Sequence, residues 1–203
     1  MRPVRARTLL WAAAVGGAAA AIGHVAFRTE QGAKTDRDLF RWINQGHGPQ
    51  ADRLFSGVTE MGSLYASGAA ASALFLHGRR REAARALAAA GAAWIAGQVV
   101  KEVVDRPRPY EDDPDGTRKM IAEPMGTSWP SSHPAVLTAF TRVAARELGL
   151  GVPAKAALGT LDLTVAASRV YLGVHYPADV ASGLLMGRAL ARVWPKGRSA
   201  GSG

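Results

Sequence analysis

The feature that most constrains the fold is an uncharged run near the N-terminus. Residues 8–27 contain no Asp, Glu, Lys or Arg, and a helix of this length crosses the ~30 Å hydrocarbon core of a bilayer. Arg2, Arg5 and Arg7 precede the run. A secretory signal peptide has the same order of basic and apolar residues, so both interpretations stay open on this segment alone. The apolar segments that follow favour a retained membrane span.

Five later segments extend this pattern. Residues 61–77 and 86–100 are uncharged, and the basic turn Arg79–Arg81 lies between them. Three others contain charged side chains and are weaker on hydropathy alone: 134–150, 156–167 and 180–194. Hydropathy therefore predicts an all-α membrane protein but leaves these last three spans open.

The basic residues favour one topology. If the N-terminus is cytoplasmic, the basic clusters fall on the inner side of the membrane at every second connection, as the positive-inside rule requires. These clusters are Arg2, Arg5 and Arg7; Arg79 to Arg81; Arg146 and Lys155; and Arg192, Lys196 and Arg198. Segments 28–60, 101–133 and 173–179 then lie together on the non-cytoplasmic side. Both termini are expected in the cytoplasm, and the Ala, Gly and Arg bias is compatible with a bacterial inner membrane.

The composition limits which binding partners are expected. Lys and Arg total 25 against 16 Asp and Glu, a net charge of +9, which suits nucleic acid, an anionic membrane surface or an anionic substrate. No nucleic-acid-binding motif is present and aromatic residues are few. The arginines are distributed between apolar stretches and do not form a basic stripe. Nucleic acid is therefore not an expected partner, and no protein partner is indicated. The absence of cysteine excludes disulfides and thiolate metal sites.

Three clusters in the non-cytoplasmic segments carry residues suited to phosphate chemistry. They are KEVVDRPRP at 101–109, WPSSHP at 129–134 and SRVYLGVHYPAD at 168–179. In the third, His175 stands four residues before Asp179 and six after an arginine. A phosphate-cleaving site built on a nucleophilic imidazole needs this combination of groups. The three clusters together predict one assembled site.

Together the clusters resemble the three-part signature of the type 2 phosphatidic acid phosphatase family. The matched positions are Lys101, Arg108 and Pro109; Pro130, Ser131 and His133; and Ser168, Arg169, His175 and Asp179. One position departs from the signature, because Ser132 stands where glycine is usual. The resemblance covers about residues 36–193. It implies an all-α bundle of six transmembrane helices with a short interfacial helical segment.

The two histidines and the aspartate are the expected catalytic residues. If a helix begins near His175, Asp179 lies on the same face. Its carboxylate would then hold one imidazole nitrogen and leave the other free to attack phosphorus. We therefore expect His175 to be the nucleophile and Asp179 to orient it. By resemblance, His133 is the general acid that protonates the leaving oxygen.

The expected phosphate-binding residues are mostly cationic. By resemblance, Lys101, Arg108 and Arg169 clamp the phosphoryl oxygens, where charge spreads in the transition state. Arg106 is a nearby spare, since the family pattern points to Arg108. The remaining expected contacts come from serines: Ser131 through its hydroxyl or amide, Ser132 through its amide, and Ser168 by positioning Arg169 or a phosphate oxygen.

The other segments are less informative. Residues 36–60 are predicted to form one or two amphipathic helices, broken at Gly46, Gly48 and Pro49, that lie at the membrane interface near the site or form a cap without substrate contact. Residues 110–128 have the composition of a loop. Asp162, within a predicted span, is expected to be a structural partner inside the bundle. One domain is expected over residues 1–198, with a disordered tail at 199–203.

The sequence therefore predicts metal-independent hydrolysis of a phosphate from a lipid phosphate or diphosphate through a phosphohistidine intermediate. Candidate substrates are polyprenyl diphosphates, phosphatidic acid and phosphatidylglycerol phosphate, with membrane lipids as the surroundings. No cofactor or metal is implied, because lysine and arginine take the place of metal ions and no HExxH or DxDxD motif is present. The alternatives are a phosphotransferase with the same site, a vanadate-dependent haloperoxidase and a catalytically silent lipid-binding protein.

Overall fold

The computed structural model describes residues 6–195, and within that range the chain is all-α, as predicted. Its helices are α1 (Ala6–Arg28), α2 (Glu30–Asn44), α3 (Pro49–Thr59), α4 (Leu64–Leu76), α5 (Arg80–Val103), α6 (Pro109–Asp112), α7 (Ser132–Glu147), α8 (Val152–Tyr171) and α9 (Pro177–Val193). A 3-10 turn, Glu60–Gly62, joins α3 to α4. Predictions for Arg2, Arg5, Lys196, Arg198 and the tail at 199–203 lie outside the described residues.

Six of these helices correspond to the six apolar segments of the sequence: α1, α4, α5, α7, α8 and α9. By length and composition, α1 and α5 are the two described helices that are long and apolar enough to cross a membrane. The shorter α4 is also apolar. Charged and polar residues interrupt α7, α8 and α9, and these three helices carry most of the candidate site.

The core of the bundle is built around α7 from small side chains. Ala86, Ala90 and Ala93 repeat at helical spacing along one face of α5 and are fully buried in the cluster that includes α7. On α9, a side chain at Gly183 would lie 2.3 Å from the Ser131 carbonyl oxygen, and one at Gly187 would lie 2.5 Å from that of Ala135. The small residues thus let α5 and α9 approach α7 closely.

Residues 36–60 form two helices, as predicted, and these lie across one end of the bundle. The break falls between α2 and α3, where Gly46 and Gly48 have φ of +83° and +93° and Pro49 opens α3. The Asn44 side-chain amide donates to the carbonyl oxygens of Tyr171 (2.8 Å) and Arg118 (3.0 Å). The α2–α3 segment therefore joins the C-terminal end of α8 to the loop that precedes α7.

Further contacts bring the three predicted non-cytoplasmic segments to this same end. The Met120 amide donates to the carbonyl oxygen of Leu172, and the Ser128 amide donates to that of Arg106. The Arg106 guanidinium reaches Asp36 across 70 residues of sequence. These contacts bring the segments that carry the three clusters to one end of the molecule.

Candidate active site

His175 and Asp179 are held together at the start of α9. The helix begins at Pro177, with Tyr176 as its N-cap, near His175 as expected, although His175 itself precedes the helix. Asp179 instead turns back to the helix start and accepts the Tyr176 backbone N–H through Oδ2 (2.8 Å). This capping places the same oxygen 3.5 Å from His175 Nδ1.

A sharp turn delivers His175 to this position. Helix α8 ends at Tyr171, and Gly173 has φ of +80°, a conformation that favours glycine. A side chain there would lie 2.6 Å from the Arg118 carbonyl oxygen. The backbone amides of residues 174 and 175 then donate to the Arg169 carbonyl oxygen. The turn therefore folds His175 back over the last turn of α8, which carries Arg169.

Asp179 has two further partners that sequence reasoning did not assign to the site. The Ser128 hydroxyl donates to Oδ2 (2.6 Å) and lies 3.5 Å from His175 Nδ1. Arg106 donates to Oδ1 (2.5 Å) and also reaches Asp36. The spacing pattern could not reveal these contacts, because Ser128 lies in a loop and Asp36 is far from Arg106 in sequence.

Arg108 lies against the other ring nitrogen of His175. It is fully buried, and its Nη1 is 3.3 Å from His175 Nε2 while also donating to the Val174 carbonyl oxygen. Carbonyl oxygens of the loop at 125–127 accept its remaining N–H groups. Because a guanidinium can only donate, Nε2 is the acceptor nitrogen, and the proton of the neutral imidazole is on Nδ1, facing Asp179.

Burial and charge both favour the neutral form of this imidazole. His175 has only 2% of its surface exposed. Burial first, and then the positive charges of Arg108, Arg169 and Lys101, hold its pKa well below the ordinary value. The ring therefore stays neutral over the physiological pH range, and the Nε2 lone pair faces the Arg108 guanidinium.

Arg169 and Lys101 complete the cationic cluster. Arg169 is buried, and its Nη1 donates to the Thr59 hydroxyl at the end of α3 (2.9 Å). Its Nε is buried and has no hydrogen-bond partner among residues 6–195. Lys101, in the last turn of α5, is half-buried and within electrostatic range of both arginines and of Asp179. The α2–α3 segment thus contacts a predicted phosphate-binding residue.

His133 enters the cluster from the first turn of α7. Its side chain packs against the 3-10 turn, where a side chain at Gly62 would lie 2.9 Å from His133 Cβ and 2.7 Å from Val165 Cγ1. Only glycine permits that approach. Arg169 and His175 are among the groups that act on His133 electrostatically. The structure therefore brings both predicted histidines into one cluster with the cations.

Of the donors expected from the serines beside His133, one is already occupied. The Ser131 amide is not free for phosphate, because it donates to the Asp179 carbonyl oxygen (3.0 Å); its buried hydroxyl has no partner among the described residues. The Ser132 hydroxyl turns towards α5 and donates weakly to Gln98 (3.5 Å). A Cβ at Gly97 would lie 3.1 Å from this hydroxyl. Gly97 thus leaves room for serine where the signature has glycine.

The structure also shows the hydrogen-bond partners of Ser168 and Asp162. The hydroxyl of Ser168 donates to the Val165 carbonyl oxygen within α8 (2.7 Å), so its hydrogen bond is to its own helix and not to Arg169. Asp162 accepts the Thr141 hydroxyl across the α7–α8 interface (3.0 Å). The prediction of a structural partner inside the bundle is confirmed for Asp162.

The assembled groups can carry out phosphoryl transfer. A neutral imidazole presents a lone pair at Nε2, and two arginines and a lysine surround it. Such pre-placed cations favour a group that carries negative charge on several oxygens. The unpartnered Arg169 Nε and Ser131 hydroxyl supply donors that no described residue occupies.

The sequence matches one protein family and resembles proteins of known function. Residues 82–200 match the family described as the PAP2 superfamily. The decaprenylphosphoryl-5-phosphoribose phosphatase of Mycobacterium tuberculosis strain H37Rv is 35% identical over 121 residues, which cover 60% of this chain and 64% of that protein. The match therefore spans less than two thirds of that relative's length. The protein of the same name from Mycolicibacterium smegmatis is 35% identical over 131 residues, covering 64% of this chain and 68% of the relative.

Two solved structures have the same fold. LpxE of Aquifex aeolicus superposes with a TM-score of 0.68 at 26% identity, covering 76% of this chain and 90% of that one. A transmembrane PAP2-type phosphatidylglycerolphosphate phosphatase of Bacillus subtilis superposes with a TM-score of 0.67 at 22% identity, covering 91% of this chain and 90% of that one. The second likeness concerns the fold alone.

Proposed function

Because the chain belongs to the PAP2 superfamily, we propose that it hydrolyses the phosphate ester of a membrane lipid with His175 as the nucleophile. The observation that carries this proposal is the buried imidazole of His175, which lies between the Asp179 carboxylate and the Arg108 guanidinium. The Asp179 carboxylate fixes the proton on Nδ1, and the Arg108 guanidinium lies where negative charge develops when Nε2 attacks. A histidine with a purely structural role has no need of this arrangement.

In the first step, His175 Nε2 forms a bond to phosphorus while the bond from phosphorus to the lipid oxygen breaks. His133 gives its proton to the departing oxygen. Nδ1–H stays directed at Asp179, whose negative charge stabilises the positive charge on the phosphorylated ring. Lys101, Arg108 and Arg169 neutralise the phosphoryl oxygens, and loss of one such donor typically costs about 10²–10³-fold in rate.

In the second step, water hydrolyses the phosphohistidine. His133, now neutral, removes a proton from the water molecule, the oxygen bonds to phosphorus, and the bond from phosphorus to Nε2 breaks. Inorganic phosphate leaves and the ring returns to its neutral form. Residues 6–195 hold no cluster of three or more His, Asp or Glu suited to a metal ion, and the cationic side chains fill the charge-neutralising role in this proposal.

The proposed setting is a bundle of six membrane-spanning helices, α1, α4, α5, α7, α8 and α9, in one domain over residues 1–198. This is supported by apolar side chains exposed along the long helices: Leu9, Leu10 and Val25 on α1, and Trp94, Ile95 and Val99 on α5. In water such a surface would promote aggregation, whereas lipid covers it. By the positive-inside rule, both termini are cytoplasmic and the site faces the other side of a bacterial inner membrane.

The substrate that fits this setting has a membrane-embedded tail and a protruding phosphate. The candidates are polyprenyl diphosphates, phosphatidic acid, phosphatidylglycerol phosphate and, from the names of the relatives, a decaprenylphosphoryl phosphoribose. Their common group is a terminal phosphate beside an apolar chain. The α2–α3 segment also favours a lipid substrate, because it holds exposed Trp42 and Leu54 at the site end of the bundle.

The test is phosphate release by detergent-solubilised protein from this panel, with EDTA present and no alcohol acceptor added. We expect release that persists in EDTA and is lost in His175→Ala. Full activity of the variant would exclude His175 as the nucleophile. Activity that appears only with an added alcohol would favour a phosphotransferase, and lipid binding without turnover by the wild type would favour a lipid-binding protein.

A further inference from the structure

Arg106, two residues before the signature arginine, lies buried between two carboxylates. Its Nη1 is 2.5 Å from Asp179 Oδ1, and its Nη2 is 2.5 Å from Asp36 Oδ2. All three side chains have less than a tenth of their surface exposed. Burying an arginine with two acids is costly unless the geometry satisfies each group. A buried ion pair of this kind is weak evidence for stabilisation, and its position beside His175 suits a role in the site.

The partners of Arg106 are themselves fixed. Asp36 Oδ1 accepts the backbone N–H of Ala178 in the first turn of α9 (2.9 Å). The rings of Tyr176 and Phe27 lie 4.3 Å and 5.1 Å from the guanidinium carbon, at distances typical of cation–π contacts. Arg106 is thus held from α1, α2 and α9 at once and has little freedom to move.

The position of Arg106 determines how Asp179 is presented to the nucleophile. Arg106 holds Oδ1, while Oδ2 receives the Ser128 hydroxyl and the Tyr176 amide and faces His175 Nδ1. Because Arg106 anchors one oxygen and Ser128 and Tyr176 anchor the other, the carboxylate cannot rotate away from the imidazole. Two carboxylates and one guanidinium also leave one surplus negative charge, which suits the positive charge that develops on the ring during attack.

We propose that Arg106 is a positioning residue that acts through Asp179, with Asp36 as the support that holds Arg106 in place. The catalytic part of this proposal rests on the proposed phosphatase function. Arg106 touches neither the expected phosphate nor His175 directly. Its role is to fix the Nδ1–H tautomer of His175 and so to keep Nε2 available.

The charged groups around His175 give this proposal a pH signature. Lys101 on α5, Arg108 on the connecting segment, His133 on α7, Arg169 on α8 and Asp36 on α2 all surround the pair. Without Arg106, Asp179 carries an uncompensated negative charge beside the ring, which favours the imidazolium and raises the pKa of His175. The acid limb of activity therefore moves to higher pH in Arg106→Gln.

Two independent readouts separate this proposal from the proposed function. The first is ¹⁵N NMR of the histidines in detergent-solubilised protein. The chain has five histidines, and His175→Gln identifies the signal of interest. The second readout is phosphate release as a function of pH, with kcat and KM determined separately. The variants are Arg106→Gln, Arg106→Lys and Asp36→Asn.

The matched control is Arg41→Gln. Arg41 also pairs with an aspartate, Asp113 (3.1 Å), and lies on the same α2 helix as Asp36, but this ion pair is exposed. Arg41→Gln therefore removes one arginine and one ion pair without touching Asp179. Thermal unfolding of every variant identifies effects on folding, and Asp36→Asn, which retains the Arg106 side chain but weakens its support, tests the proposal if Arg106→Gln does not fold.

The wild type should show a neutral His175 with its proton on Nδ1. Arg106→Gln should weaken this tautomer preference, raise the pH at which His175 titrates and lower kcat about 100-fold with little change in KM. Arg106→Lys should recover part of the rate and Asp36→Asn should lose about tenfold. An unchanged His175 signal in folded Arg106→Gln and Asp36→Asn would overturn the proposal. Normal NMR behaviour of the wild type without phosphate release would instead count against the phosphatase function.

Discussion

The two ends of the α7–α8–α9 unit are both rich in basic residues, yet they differ in how those residues are held. At the site end, Arg108 and Arg169 are almost completely buried. At the opposite end, Arg142, Lys155 and Arg192 are exposed and line a cavity of about 310 Å³ that has Asp162 in its wall. Positive charge alone therefore does not distinguish the candidate site.

The difference lies in preorganisation. The guanidinium of Arg108 is fixed by four backbone carbonyl oxygens, whereas the side chain of Arg142 makes no hydrogen bond or ion pair within residues 6–195. An exposed cation is screened by water and contributes little. A buried cation that is already fixed needs no reorganisation when charge develops on a substrate. The comparison predicts large effects at one end of the helices and small effects at the other.

The largest effect should come from the nucleophile. His175→Ala removes the only group proposed to form the covalent bond to phosphorus, and we expect kcat to fall at least about 10⁴-fold. Arg142→Gln, at the other end of the unit, should change kcat less than about twofold. Steady-state phosphate release by both variants checks this pair. A similar loss in the two variants would show that the comparison between the ends is wrong.

The next effect concerns the buried arginine beside the nucleophile. Arg108→Gln should lower kcat about 10²–10³-fold, because it removes a fixed donor from the phosphoryl site. Burial and then Arg108 lower the pKa of His175, so removal of this charge raises that pKa. The neutral nucleophile is then lost at a higher pH, and the acid limb of kcat/KM moves upward.

A pH profile of kcat/KM measures that shift, with Arg142→Gln as the control. Both variants lower the net charge by one, but Arg142→Gln leaves the surroundings of His175 unchanged. An acid limb that stays in place in Arg108→Gln would mean that the protonation of His175 does not govern the reaction.

The sequence predicts the helices and the signature residues of the site, but not the buried contacts between residues that are distant in sequence. The helices follow from apolar segments, and the signature residues follow from their spacing, because both are local patterns. The Arg106–Asp36 pair joins residues 70 positions apart, and no local pattern reports it. The same limit applies to Ser168 and Ser131: residue type reveals a hydroxyl or an amide, while its partner depends on tertiary packing.

The contact between α3 and Arg169 should have an intermediate effect. Thr59→Val removes the hydroxyl that accepts from Arg169 Nη1 (2.9 Å) and keeps the shape of the side chain. A hydrogen bond to a charged group contributes about 1.5–3 kcal/mol, so we expect kcat/KM to fall about tenfold or more. Thr160→Val is the control, because the Thr160 hydroxyl bonds only within its own helix. Equal activity of the two variants would remove α3 from the site.

The smallest effect should come from Asp162, the buried acid near the middle of α8. Asp162 is as buried as the site residues, but its partner is the Thr141 hydroxyl, and it lies about two helical turns, roughly 10 Å, from Arg169 along α8. Asp162→Asn retains an acceptor for Thr141, so we expect activity within about twofold and a change in unfolding free energy of about 1 kcal/mol or less. Thermal unfolding together with phosphate release measures both quantities. A large loss of rate in a normally stable Asp162→Asn variant would show that this carboxylate contributes to catalysis although it lies outside the site. The two ends of the helices would then have to be treated as one coupled unit.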